Sequence, residues 1–458
     1  MKKILLVLPA LFFVVHSAQA QTPKLVVIIV GDQIRADYLE RFHQDLLPDG
    51  LRRFRDQGSY YLNARMDDAV TKTSPGHTLI GSGLYPRDSG IVNNDWYDVP
   101  SHHSVSAAEL IAGGQHTQLR WFAGISFAER LHTTCPDCRM IGVSLKDRGA
   151  LLLGGPDQDE AYWWDRDHHE FRSYHDSPSW LSEFNQHHHD LVSLEKRMET
   201  ADADTVTELL TEEIVSHWQL GQKKGVTDVL TVSFSAVDLV GHRYGPDSPQ
   251  IKSVFLNLDK QVSLLMKAVE KSVGKDVVWA FSSDHGVTPI PEVSSAQGLP
   301  AGRVPFARGA LPHPEWIEAT AAPFIYLTKP ANAPMMKEEL QKIKGVEAAY
   351  TTADIRARQT SDVIQRSFFS PKGDEPARSG DLWVVLKPKY IFSDSAGGTT
   401  HGQPTDDDQH VPMGFYGLGI PAQVFPEEES VARLAPTMLK LLGITTADLN
   451  VPLQFRKN

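Results

Sequence analysis

Cysteine is scarce in this chain, with two among 458 residues, both in the segment Cys135-Pro-Asp-Cys138. A framework of several disulfides is therefore excluded, and so is a zinc site made of two cysteine pairs. A chain of this length can bury enough apolar surface to fold without such cross-links. Residues 139–144 are typical of a strand, whereas a thioredoxin-like redox pair should open a helix, so we expect a local structural disulfide.

Positive charge is also in short supply, since 45 Lys and Arg residues face 57 Asp and Glu residues and give a net charge of −12. Binding to a nucleic-acid backbone needs clustered Lys and Arg, so we expect no nucleic-acid scaffold role. A small anionic substrate remains compatible with this composition, because a local site can be positive on a negative protein.

Long apolar runs are absent after the first residues of the chain. Lys2 and Lys3 precede the apolar residues 4–15, and Ala18-Gln-Ala20 has the A-x-A pattern of a cleavage site. The run is short for a permanent membrane helix, although a retained anchor is the alternative. We expect a bacterial Sec-type signal peptide over residues 1–20, a periplasmic or secreted product and no stable membrane anchor. Its removal takes away two lysines and no acids, which changes the net charge from −12 to −14.

The chain does contain apolar strands that alternate with amphipathic helices. Residues 25–30 are a continuous apolar run, as in a strand buried on both faces of a parallel sheet. Residues 250–273 place their apolar side chains on one stripe of a helix. The sequence predicts an α/β fold with a mostly parallel central sheet and helices on both faces. Further strands are predicted at residues 139–145, 229–234, 277–282, 382–386 and 411–416, and further helices at residues 205–220 and 431–442.

Two segments are predicted to be insertions into one catalytic domain that covers residues 21–458. Residues 154–204 are rich in Trp, His and Asp and have weak periodicity, which indicates a cap or a surface excursion. Residues 323–390 contain strand and helix patterns of their own, which indicates a small α/β subdomain.

Metal-type ligands follow several predicted strands. Taken alone, each aspartate could be a turn or helix-cap residue, and each histidine could be a solvated surface residue. In parallel sheets, however, ligands bind beyond the carboxyl ends of the strands, where these residues are predicted to lie. Carboxylate and imidazole together suit Zn²⁺ with open positions for water and substrate. The sequence therefore predicts a site for two metal ions. Its residues are Asp32, Asp238, His242, Asp284, His285 and His401.

A nucleophile is predicted in Thr71-Lys-Thr-Ser-Pro-Gly-His77. Pro75 suits a first helical turn, which places Thr73 at a helix N-terminus. Backbone N–H groups and the helix dipole favour phosphate and a threonine alkoxide there. An ordinary N-cap is the alternative role for Thr73.

These motifs, together with Gly-Leu-Tyr-Pro-Arg87 and Asn93-Asn-Asp-Trp-Tyr97, resemble the type I phosphodiesterase/nucleotide pyrophosphatase branch of the alkaline phosphatase superfamily. The resemblance extends from about residue 24 to the Ala435-Pro-Thr segment. Within the branch, Ser-Leu-Lys146-Asp-Arg148 resembles the phosphate-irrepressible alkaline phosphatases, which are monoesterases with a threonine nucleophile.

The resemblance implies roles for the individual residues. Asp32, Thr73, Asp284 and His285 would hold one Zn²⁺, and Asp238, His242 and His401 would hold the other. Asn94, Lys146 and Arg148 would bind the phosphoryl oxygens.

We therefore expect an exported, zinc-dependent alkaline phosphatase that hydrolyses small-molecule phosphate monoesters through phosphothreonine. The alternatives are a nucleotide pyrophosphatase/phosphodiesterase on the same bimetal core and a catalytically silent metal- or phosphate-binding protein. A sulfatase is disfavoured because the cysteines do not match C-x-P-x-R. The histidines at 168–169 and 187–189, and the aspartates at 406–408, are interpreted as solvated surface residues.

Overall fold

The structure is a computed structural model that describes residues 22–113, 116–175, 177–192, 196, 200–369 and 378–455. The predicted signal peptide at residues 1–20 lies outside the described residues. None of the described helices combines the length and the apolarity that are needed to cross a membrane.

A nine-stranded sheet forms the centre of the molecule. Five adjacent strands, from Val277–Ser282 to Glu160–Asp165, are parallel, and the antiparallel pairs lie towards the two edges. The prediction of a mostly parallel sheet is therefore confirmed. In spatial order the strands are Gln423–Ser430, Ser59–Arg65, His410–Gly417, Val277–Ser282, Leu25–Gly31, Asp228–Phe234, Met140–Ser144, Glu160–Asp165 and Glu170–Ser173.

Helices cover both faces of this sheet because its central strands are apolar on both faces. Alternate side chains of the fully buried Leu25–Gly31 strand enter two different hydrophobic clusters. One cluster includes residues of the helices Asp202–His217 and Pro249–Val273. The other includes residues of Thr73–Ser82 and Leu434–Leu441. This arrangement is the one that a continuous apolar strand predicts.

The remaining helices are short and mostly lie in the connections. The other described α-helices are Asp37–Arg41, Arg52–Asp56, Pro86–Ser89, Phe127–Thr134, Asp147–Gly154, Ser179–His187, His189–Val192, Ala236–Tyr244, Pro291–Ala296, Ala333–Leu340, Thr352–Arg356, Asp362–Ser367 and Asp406–Gln409. The 3₁₀ turns are His43–Asp45, Arg308–Ala310, Pro314–Trp316, Pro330–Asn332 and Val431–Arg433.

The two predicted insertions have different architectures. Within residues 154–204, the strands Glu160–Asp165 and Glu170–Ser173 extend the central sheet at one edge. Residues 317–386 contain a separate four-stranded sheet, which begins a few residues before the predicted segment. Its strands, in spatial order, are Ile317–Ala321, Phe324–Leu327, Leu382–Leu386 and Val346–Thr351. Within the described residues, three two-stranded sheets complete the fold. They pair Asp95–Asp98 with His103–Ser106, Leu110–Gly113 with His116–Leu119, and Gly302–Val304 with Tyr390–Phe392.

Cys135 and Cys138 form a disulfide directly after the helix Phe127–Thr134, with their Cα atoms 5.4 Å apart. We expect the paired substitution Cys135→Ser and Cys138→Ser to fold and to keep its activity. Such a small loop contributes at most about 2–3 kcal/mol to the free energy of unfolding. Thermal unfolding and initial rates of the double variant against the parent check this prediction. A well-folded but inactive double variant would contradict it.

Candidate active site

The predicted metal ligands gather at the carboxyl edge of the parallel strands. Asp32 directly follows the Leu25–Gly31 strand, and Asp284 and His285 follow Val277–Ser282. The short helix Ala236–Tyr244 begins just after Asp228–Phe234 and presents two further side chains one turn apart. These are Asp238 and His242, and His401 reaches the same place from the loop before Asp406–Gln409.

Two overlapping groups of these residues have ligand atoms within 4.8 Å of one another. One group is Asp32, Asp284 and His285, and the other is Asp238, His285 and His401. The rings of His285 and His401 stack with their centroids 3.5 Å apart. His242 Nε2 lies 3.1 Å from Asp238 Oδ1, so this imidazole joins the second group. The structure thus brings all six ionisable ligands of the prediction together.

Burial and mutual repulsion set the charges of this cluster. Burial raises the pKa of Asp32, and the nearby Asp238 and Asp284 carboxylates raise it further. Burial also lowers the pKa of His285 and, with the neighbouring imidazoles, lowers that of His401 well below its usual range. Both imidazoles are therefore neutral near pH 7, the form that binds a metal ion.

Backbone carbonyls orient the three imidazoles. Each ring donates its Nδ1–H to a main-chain oxygen, which leaves the Nε2 lone pair for a metal. The donor and acceptor pairs are His242 with Thr399 at 2.9 Å, His401 with Thr71 at 2.6 Å and His285 with Gly286 at 3.0 Å.

Two buried atoms of the first group lack a hydrogen-bond partner among the described residues. They are Asp32 Oδ1 and His285 Nε2. Burying a polar atom without a hydrogen-bond partner costs free energy of folding. Buried charged groups such as carboxylates are therefore usually paired with an opposite charge or coordinate a metal ion. The donor set of carboxylate oxygen and imidazole nitrogen therefore fits divalent metal ions.

Thr73 is the first residue of the helix Thr73–Ser82 and is 2% exposed. His77, one turn later, connects this helix to the ligand cluster: its Nδ1 lies 2.8 Å from the Thr73 carbonyl and 3.2 Å from Asp284 Oδ2. Gly76 permits the close approach, because a Cβ there would lie 2.2 Å from the Asp284 carbonyl oxygen. The helix N-terminus that carries the predicted nucleophile thus lies against the ligand cluster.

Asn94 is fixed by its neighbours on both sides. Its Oδ1 accepts a hydrogen bond from the Ser74 backbone N–H at 2.8 Å, and its own N–H donates to Asn93 Oδ1 at 2.8 Å. The Asn94 amide Nδ2 is therefore the group that remains to donate to a phosphoryl oxygen. Lys72 Nζ and Asn93 Nδ2 both donate to the Ala322 carbonyl, which connects the four-stranded sheet to this part of the site.

Lys146 lies at the start of the helix Asp147–Gly154, and its Nζ is 2.5 Å from Asp32 Oδ2 and 2.6 Å from Asp238 Oδ2. Burial alone would lower the pKa of Lys146, but the Asp238 and Asp32 carboxylates outweigh burial and raise it. Lys146 is therefore a cation that bridges the two ligand groups. Arg148 is placed differently, since its nearest carboxylate in the described structure is that of Asp147, with 3.8 Å between Nη1 and Oδ1.

Sequence reasoning missed two buried residues that organise the cluster. Gln33 Nε2 donates to Asp238 Oδ1 at 2.5 Å, and its backbone N–H donates to Asp284 Oδ1 at 3.1 Å. Its position directly after Asp32 was the available signal. Asp408 was interpreted as part of a solvated turn, but it is fully buried. A third acidic residue in a short run gives no sign of burial without the tertiary structure.

The geometry defines a metal-assisted hydrolase site, in which buried carboxylates and imidazoles lie against the helix N-terminus that carries Thr73. Residues 26–409 match the sequence model of the type I phosphodiesterase / nucleotide pyrophosphatase family. The chain belongs to this family.

Characterised relatives match over nearly the whole chain. Alkaline phosphatase PafA of Elizabethkingia meningoseptica is 26% identical, and the match covers 92% of this chain and 92% of the relative. Alkaline phosphatase PhoV of Synechococcus elongatus is 28% identical, with 92% and 90% covered. The crystal structure of wild-type PafA superimposes with a TM-score of 0.82 at 24% identity and covers 93% of this chain and 97% of that chain. The predicted family, fold and enzyme class, a hydrolase of phosphoric esters, are thereby confirmed.

Proposed function

We propose that this protein is an exported, zinc-dependent alkaline phosphatase that hydrolyses phosphate monoesters through a covalent phosphothreonine. The observation that carries the proposal is the position of Thr73 at a helix N-terminus, against two overlapping groups of buried metal ligands. Relatives named alkaline phosphatases that match over nine tenths of the chain support it.

Two zinc ions are part of the proposal. Asp32, Thr73, Asp284 and His285 would hold one, and a second set of three residues, Asp238, His242 and His401, would hold the other. Zn²⁺ suits mixed carboxylate and imidazole donors and leaves positions open for substrate. When bound, zinc lowers the pKa of a coordinated hydroxyl or water and neutralises phosphate charge.

The residues of the chain supply the nucleophile and the substrate contacts. Thr73 Oγ1 attacks phosphorus and forms a phosphothreonine ester, while the bond to the leaving oxygen breaks and the alcohol departs with a proton. Water then attacks the same phosphorus, which releases inorganic phosphate and restores the Thr73 hydroxyl. The amide of Asn94 and the cations of Lys146 and Arg148 would hold the phosphoryl oxygens during both steps.

The cations also account for the proposed preference for monoesters. A monoester dianion has one more negative charge and one more free oxygen than a diester, which carries a second organic group at that position. At a separation of about 4 Å and an effective dielectric constant of about 20, one charge pair contributes roughly 4 kcal/mol before desolvation is subtracted. Even half of this energy per cation corresponds to about a thirtyfold change in rate.

We expect the paired substitution Lys146→Ala and Arg148→Ala to lower monoester kcat/KM by roughly a hundredfold to a thousandfold, and diester kcat/KM far less. Initial rates on a monoester and a diester of the same leaving group measure the difference. Arg148→Ala is also measured alone, because Lys146 contacts Asp32 and Asp238 and its loss disturbs the ligands as well. Lys223→Ala, at an exposed lysine paired with Asp137, is the control for a lost positive charge.

The competing function is that of a nucleotide pyrophosphatase or phosphodiesterase on the same metal core, which the description of the family itself favours. A wild-type enzyme that prefers the diester, or a double variant in which both reactions fall equally, would establish this alternative and contradict the monoesterase.

Export is the remaining part of the proposal. It rests on the pattern of residues 1–20, and bacterial relatives named alkaline phosphatases are compatible with it.

A further inference from the structure

Three consecutive aspartates, Asp406 to Asp408, form a short helical turn but have very different surroundings. The Asp406 side chain is 73% exposed and pairs with Arg65. Asp408 is fully buried. A buried carboxylate is kept only where hydrogen bonds compensate for its lost hydration, so the partners of Asp408 show what it does.

Asp408 accepts hydrogen bonds from two separate loops of the ligand cluster. Its Oδ2 accepts from the backbone N–H groups of Gly402 and Gln403, each at 3.0 Å, directly after His401. Its Oδ1 accepts from the Thr288 hydroxyl at 2.9 Å.

The main chain of Asp408 completes this connection. Its carbonyl oxygen accepts from the Gly286 N–H at 2.7 Å, directly after His285. The two segments are in close contact at this point, because a Cβ on Gly286 would lie 2.2 Å from the Asp407 carbonyl oxygen. One residue thus connects the loop of His285 to the loop of His401.

The third imidazole is reached through Thr288. The Thr288 carbonyl accepts from the Thr399 hydroxyl at 2.6 Å. Thr399 in turn pairs with His242 in both directions: its carbonyl accepts from His242 Nδ1 at 2.9 Å, and its N–H donates to the His242 carbonyl at 2.8 Å. The bonds from Asp408 therefore extend to all three histidine segments.

We propose that Asp408 is a positioning residue that fixes the loops of His285 and His401 relative to each other, and through Thr288 and Thr399 fixes His242. Its hydrogen bonds in the described structure go to Thr288, Gly286, Gly402 and Gln403 and not to a ligand atom, so it acts by setting where the three Nε2 lone pairs meet. This inference rests on the proposed zinc site. Partners that orient metal ligands in this way are typically worth ten- to a hundredfold in metal affinity.

The test is the zinc affinity of the metal-stripped full chain, measured by competition with a chromophoric chelator. We expect Asp408→Ala to bind zinc about ten- to a hundredfold more weakly than the wild type. Asp408→Asn should lose less, because its amide oxygen can still accept from Gly402 and Gln403 while its NH₂ group donates to Thr288. Saturating zinc should restore most of kcat in both variants, which a catalytic role in the chemistry would not allow.

The matched control is Asp406→Ala, two positions away in the same turn, which should bind zinc as the wild type does. Thr288→Val, which removes only the hydroxyl donor, should weaken zinc binding, and Thr288→Ser should restore it. This second pair decides the matter if Asp408→Ala does not fold.

Wild-type zinc affinity in Asp408→Ala would overturn the inference, and so would an equal loss of zinc affinity in Asp406→Ala. Where Asp408→Ala fails to fold, wild-type zinc affinity in Thr288→Val is the contradicting result. A lower melting temperature of the metal-free variant with unchanged zinc affinity would also overturn it, since that result describes a purely structural residue. If the wild type itself binds no zinc, the proposed metal site is wrong and the inference is wrong with it. These outcomes separate the two failures.

Discussion

Thr73→Ala is expected to lower the kcat for monoester hydrolysis by roughly three to six orders of magnitude, the range seen when a covalent nucleophile is removed. The variant lacks the oxygen that attacks phosphorus, while the buried carboxylates and imidazoles around it remain in place. Metal content should therefore stay close to that of the wild type. Thr73→Ser keeps the hydroxyl and should retain measurable turnover. Steady-state rates and metal analysis of the three proteins check the prediction.

The control for this prediction lies in the same helix. Thr78, five residues after Thr73, is fully buried, and its Oγ1 has no hydrogen-bond partner among the described residues. Thr78→Val replaces that hydroxyl by a methyl group of similar shape and should leave the rate within a few-fold of the wild type. A large loss in Thr78→Val would mean that the helix is sensitive to any substitution.

The chemical identity of the intermediate is tested separately from the rate. Mass spectrometry of acid-quenched enzyme should find the phosphate on the peptide that contains residues 71–77. A phosphate on any other residue would assign the nucleophile elsewhere, and the loss of activity in Thr73→Ala would then be indirect.

Much of the fold could be predicted because local patterns and sheet geometry agree. The apolar run at residues 25–30 predicts the buried central strand that the structure shows as Leu25–Gly31. The stripe at residues 250–273 predicts the helix Pro249–Val273 within one residue. The placement of Asp32 and Asp284 at one edge of the sheet follows from their positions after parallel strands.

The parts that could not be predicted depend on contacts between residues far apart in the chain. The strands Glu160–Asp165 and Glu170–Ser173 are stabilised by pairing at the edge of the central sheet, and their own sequence has little periodicity. The bridge from Lys146 to Asp32 joins residues 114 positions apart. Asp406 and Asp408 are the same residue type in one short run, so the sequence does not distinguish the exposed aspartate from the buried one. Asp408 is buried because residues 286–288 and 402–403, which are distant from each other in the chain, pack against it and donate hydrogen bonds to it.

Removal of the metal ions is expected to abolish turnover and to lower the melting temperature. The cluster places the carboxylates of Asp32, Asp238 and Asp284 together, and each of them is at most 3% exposed. Burial, and after it repulsion by the Asp238 and Asp284 carboxylates, raises the pKa of Asp32, so positive charge supplied by metal ions stabilises the folded state. A ligand present at a hundred times its dissociation constant contributes about 2.7 kcal/mol to the free energy of unfolding.

The experiment is dialysis of the full chain against a chelator, followed by return of zinc, with activity, metal content and melting temperature measured at each stage. We expect activity to fall with metal content and to recover at about two zinc ions per chain, because each of the two ligand sets would hold one ion. The control is the paired substitution His187→Ala and His189→Ala, which removes two exposed histidines that are not among the proposed zinc ligands. It should leave the number of zinc ions per chain unchanged. Full activity in verified metal-free protein would contradict the two-zinc proposal, in which metal charge is needed in addition to the Lys146 cation to balance three carboxylates and a phosphate dianion.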